Sequence, residues 1–130
     1  MRLSLILITS LMLSSCSSMS SLEDVKSAEP TETELVDRSI TEVYRDLELA
    51  TKFCFANNSA TNYNVVSSLS GSKGKVMVVT GAELGSSNVW LVASIQKEGK
   101  STRVNHTSGN SLWKRHITKM KGWARGKTDC

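Results

Sequence analysis

Lys114, Thr118, Lys121 and Arg125 follow one another at steps of four, three and four, with Arg115 beside the first. On a helix this spacing makes a basic stripe. The stripe suits an anionic partner met through Lys114, Arg115, Lys121 and Arg125. It suits equally a solvated face, or pairing with acidic residues of the same domain. The charge distribution keeps both readings open. Nine of the twelve acidic residues lie between 17 and 49, and nine of the sixteen basic ones between 97 and 130. His106 and His116 are the only histidines. Neither has neighbours at the spacing a zinc site needs, so no metal is expected. No Gly-x-Ser-x-Gly is present, and nothing pairs Glu83 with Glu98 as acid and base. Ser70-Gly71-Ser72-Lys73-Gly74-Lys75 lacks the first glycine and the hydroxyl residue of a phosphate-binding loop, and reads as a hairpin turn. Trp90, Trp113 and Trp123 offer faces on which a sugar or glycan could stack, or a layer that packs a helix onto a sheet. Nothing in this set specifies an enzyme.

The elements that position these residues follow from periodicity. Thr31-x-x-Glu34 after Pro30 has the form of a capping box. Val36, Ile40, Val43, Leu47, Ala50 and Cys54 then recur at helical steps, predicting an amphipathic helix from about residue 32 to about 55. Strand-like runs follow at Asn62–Leu69, Lys75–Thr80, Asn88–Gln96 and Ser101–Thr107, separated by glycine-containing turns. The last run is polar apart from Val104 and suits an exposed edge. A second helix carries Trp113, Ile117, Met120 and Ala124 on its apolar stripe and ends at Gly126. The expected fold is therefore α+β, a two-layer sandwich of helix, four-stranded antiparallel meander and helix.

The N-terminus addresses location. Arg2 precedes an apolar run from Leu3 to Leu13, too short for the roughly 20 residues that span a bilayer. The run ends in Leu13-Ser14-Ser15-Cys16. This resembles the lipobox of bacterial lipoprotein precursors, in which a leucine and two small residues precede the cysteine that is lipidated. The resemblance implies a signal peptide over 1–15 and a mature protein that begins at Cys16, carrying covalent diacylglycerol and an N-acyl chain but no other cofactor. Ser17 in place of aspartate implies sorting to the outer membrane, facing the periplasm. Residues 16–31 are small, polar and acidic and are expected to be a flexible tether. Residues 32–130 remain as a single domain.

A domain of about 100 residues has a modest core. With Cys16 lipidated, Cys54 and Cys130 are left, and an even pair in an oxidising compartment is most simply a disulfide, here joining the helix ends. The functional expectation is a non-enzymatic cell-envelope lipoprotein, a membrane-tethered domain that binds or scaffolds an envelope protein or an anionic envelope component. The alternative is a ligand- or inhibitor-binding module using the sheet face and the tryptophans. Nucleic acid fits the charge but not the compartment.

Overall fold

A computed structural model describes residues 29–56, 62–80 and 88–130. Cys16, the segment expected to be a signal peptide and most of the expected tether lie outside these residues. The described chain is α+β: five strands in one antiparallel sheet and two helices. In chain order these are β1 (Glu32–Val36), α1 (Ile40–Thr51), β2 (Asn64–Ser70), β3 (Lys73–Thr80), β4 (Asn88–Glu98), β5 (Ser101–Ser108) and α2 (Lys114–Ala124). The sheet order is β1-β5-β4-β3-β2.

The fifth strand corrects the sequence reading. Residues 32–36, expected in the first turn of a helix, are extended and pair with β5 from Glu32↔His106 to Val36↔Thr102. The helix begins at Ile40, and its capping box is Ser39 with Glu42. Both Thr31–Glu34 and Ser39–Glu42 satisfy the same local pattern, so tertiary contact decides between them. Glu34 and Val36 alternate with exposed Thr33 and Leu35, the period of a strand with one buried face. β5 is thus an interior strand rather than an edge, which is why Thr102, Val104, His106 and Thr107 are buried.

Helix α1 contributes Ile40, Val43, Leu47 and Ala50 to the core, and α2 contributes Ile117, Met120, Trp123 and Ala124. They meet Val76, Val78, Leu91, Ala93, Ile95 and Val104 of the sheet in one cluster. A smaller cluster of Met77, Val79, Val89 and Val92 lies on the other side of the sheet. Simple alternation would put Val89 with Leu91, and Trp90 with Val92. A register shift between Val78 and Val79 exchanges them, because Val78 pairs with Leu91 while Val79 pairs with Val89. Trp90 is left as the extra residue and packs with the helix-side cluster. Gly109 touches this bulge: its N–H donates to the Trp90 carbonyl at 2.8 Å. A Cβ there would stand 1.9 Å from the Val89 carbonyl oxygen, so only glycine fits.

The helices run antiparallel. Arg38, just before α1, donates from Nη1 to the Ala124 carbonyl at the end of α2 (3.0 Å) and from Nη2 to Asp46 (2.7 Å). At the other end, Phe55 beyond α1 packs against Trp113 and His116 at the start of α2. Helix α2 closes in a Schellman turn: Gly126, at φ +93, donates to Trp123 O and Lys127 donates to Gly122 O. The chain then doubles back, held by Trp123 Nε1 on the Asp129 carbonyl and by Lys119 on the Asp129 carboxylate. This return brings Cys130 to Cys54, and the two form a disulfide. The bond joins the two helix regions through the returning tail, since the C-terminal ends of the helices point opposite ways.

Candidate functional site

The basic stripe divides in two. Lys121 Nζ lies 3.6 Å from Glu32 Oε1, and Arg125 Nη2 donates to Glu34 Oε2 at 3.2 Å. Both acids belong to β1, so the second half of the stripe is matched inside the domain. Lys114 and Arg115, on the first turn of α2, are exposed and make no ion pair among the described residues.

Glu34 is the centre of a cluster that sequence reasoning missed. Its side chain is 5% exposed, and its second oxygen, Oε1, lies 3.3 Å from Nε2 of His106, which is fully buried. Among the described residues, the His106 Nδ1 has no hydrogen-bond partner. A lone pair is less costly to leave unmatched than an N–H, so the geometry places the ring proton on Nε2, donating to Glu34. Arg125, 48% exposed, brings the guanidinium to the same carboxylate from the solvent side. The chain of Arg125, Glu34 and His106 joins α2 to β1 and β5. One signal was available in the sequence: Glu34 and Val36 fall two apart in a short run with Leu35 between, the spacing of a strand that turns Glu34 inward. His106 was expected on an exposed strand, and it is buried because β1 covers β5.

His116 sits elsewhere, half-buried among aromatic rings. Burial pushes its ring below the usual imidazole value, and Arg115 beside it pushes the same way. Trp113 is stacked against both Trp90 (centroids 5.0 Å) and Phe55 (5.6 Å), with Tyr63 edge-on and His116 tilted at 4.7 Å. Trp90 Nε1 donates to Thr80 Oγ1 at 3.0 Å. Trp123 is buried and its N–H is used by the tail. These rings therefore pack one another and hold the start of α2 over the end of the sheet.

The remaining candidates have structural partners. Ser70 to Lys73 forms the β2–β3 hairpin turn, with Gly71 at φ +60. Glu98 takes two hydrogen bonds from Arg103, and that pairing holds its carboxyl below the usual range. Among the described residues, no three His, Cys, Asp or Glu side chains gather where they could hold a metal ion. Glu83 and Cys16 lie outside the described residues. No protein-family model and no curated protein matches the chain.

Proposed function

We propose that the protein is a lipid-anchored component of the bacterial cell envelope whose domain binds or scaffolds another envelope constituent without catalysing a reaction. The observation that carries this reading is Leu13-Ser14-Ser15-Cys16 at the end of a short apolar run. The Cys54–Cys130 disulfide supports it, because such bonds persist in oxidising compartments. Two or three acyl chains on Cys16 hold a protein firmly, at about 0.8 kcal/mol for each buried methylene. Residues 16–31 would then link the membrane to the domain, and its action is positional. With Lys121 and Arg125 engaged by β1, Lys114 and Arg115 are the cations of the stripe left for an anionic partner.

The intact mass of the membrane-extracted protein tests this reading. Loss of residues 1–15 with acyl mass added to Cys16, and two thiols alkylated only after reduction, is the expected result. An unacylated Cys16 in a protein that retains residues 1–15 overturns it.

A further inference from the structure

We propose that the open edge of β2 is an interaction surface for a second copy of this chain, paired antiparallel across a two-fold axis at Ser67. The inference goes beyond the function proposed above and holds whether or not Cys16 is acylated.

Among the described residues, strand β2 pairs with β3 on one side only, and its other side presents backbone donors and acceptors with no partner strand there. Proteins ordinarily guard such an edge with a charge, a proline, a bulge or an inward-pointing charged residue. Residues 64–70 read Asn-Val-Val-Ser-Ser-Leu-Ser and contain none of these. The register shift in the sheet lies between β3 and β4, away from this edge. The pattern also matches itself when reversed. With Ser67 opposite Ser67 of the other copy, Asn64 meets Ser70, Val65 meets Leu69, and Val66 meets Ser68. Val65 and Leu69 are the two half-buried apolar residues that pack against the helix-side core. Self-pairing therefore joins apolar to apolar on one face and places no charge opposite a like charge.

A second observation points to the same edge. Leu49 and Phe53, four residues apart along α1 and the π-helical turn after it, are 60% and 66% exposed. With Lys52, Ala56, Asn64 and Val65 they line a groove of about 660 Å3 between that turn and β2. A seven-residue strand pair alone is small beside the roughly 1,200–2,000 Å2 of a stable interface. The groove adds apolar surface where the two copies meet. The nearest charges cause no conflict, because Lys52 Nζ and Ser67 Oγ both donate to Glu48 Oε1, at 2.6 and 2.8 Å.

Disulfide trapping tests the proposal on the whole chain in detergent, in a Cys16→Ser background. Ser67→Cys puts one thiol on the axis. In a glutathione redox buffer it should give a reducible homodimer as the main species. Leu35→Cys, exposed on the opposite edge strand, should give at least tenfold less. Adding Val66→Glu and Ser68→Glu to Ser67→Cys sets like charges face to face and should abolish the dimer. Both positions are exposed, so the circular dichroism and melting curve of the monomer should stay unchanged. No homodimer from folded Ser67→Cys protein, or equal yields from Ser67→Cys and Leu35→Cys, overturns the proposal. So does a mixed disulfide formed only with a different polypeptide in the intact envelope.

Discussion

Along β1 the acidic side chains of Glu32 and Glu34 turn toward α2, where Lys121 and Arg125 meet them, and Pro30 stands just before the strand. Along β2, at the other margin of the same sheet, no residue from Asn64 to Ser70 carries a charge. The two strands are five and seven residues long, and among the described residues each has one neighbouring strand. On β1, charge serves the fold and also discourages a foreign strand, because an added chain would lie beside an inward carboxylate already committed to His106. On β2, side-chain chemistry leaves the backbone edge open. The basic stripe, which by sequence alone looks like a surface for partners, is in its second half part of how β1 is held. The run with no charged group is the margin that has no second neighbour among the described residues.

The contrast can be pressed hardest on the β2 side, through the bond beside it. Replacing both Cys54 and Cys130 by Ala removes the link between the turn that leads into β2 and the returning tail. It should cost at most about 4.5 kcal/mol, the chain-entropy value for a loop of this size. Urea denaturation would read the loss. A change under 1 kcal/mol would mean that packing alone holds the tail.

Next in size is the closed edge. Glu34→Ala leaves buried His106 without a partner for either ring nitrogen and should cost about 1–3 kcal/mol. Arg125 can turn to solvent, so its charge adds little. Replacing Glu34 and His106 together by Leu should recover most of that loss, because both unmatched polar groups leave at once. Thermal melts of the two single variants and the pair decide the point. Additive losses would show that the contact between Glu34 and His106 couples nothing.

The smallest effect lies at the aromatic end. The folded environment lowers the affinity of His116 for its proton, so the unfolded chain binds that proton more readily. Stability from this group is full above the ordinary imidazole range and declines as pH falls below about 6.5. His116→Gln should flatten the slope of melting temperature between roughly pH 7 and pH 5. An unchanged slope would place the pH dependence elsewhere. Losses from Asp46 and Glu48 come at lower pH. Burial raises the Asp46 carboxyl, but hydrogen bonds from Arg38 and Arg45 outweigh it. Lys52, then Ser67 with it, holds Glu48 down. Each carboxylate contributes above its ordinary value and loses that contribution as pH falls below it, 4.5 for Glu48 and 3.8 for Asp46.

Much of this architecture was legible in the chain. The apolar steps from Ile40 to Ala50 and from Ile117 to Ala124 mark buried helix faces, and the turns around Gly71 and Gly99 delimit the hairpins. The cysteine pairing was expected from an even count and from the compartment that the lipobox resemblance implies. What escaped depended on distant partners. The capping-box pattern by itself does not separate Thr31-x-x-Glu34 from Ser39-x-x-Glu42; the first is a strand because β5 offers it a ladder and α2 offers its acids two cations. Trp90 changes face because the register shifts within β3 and β4. The contact of Glu34 with His106 joins residues 72 apart, beyond the reach of periodicity.

The late position of β5 in the chain also sets an order of assembly. Strands β2 to β5 form a meander in which each strand pairs with its sequence neighbour. β1 must instead close a long loop before it gains any hydrogen bond, and such contacts form slowly. A strand that docks last is expected to be among the first to come away. Its amides should exchange with solvent through partial openings that leave the meander intact, making β1 a hinged flap on an otherwise durable sheet.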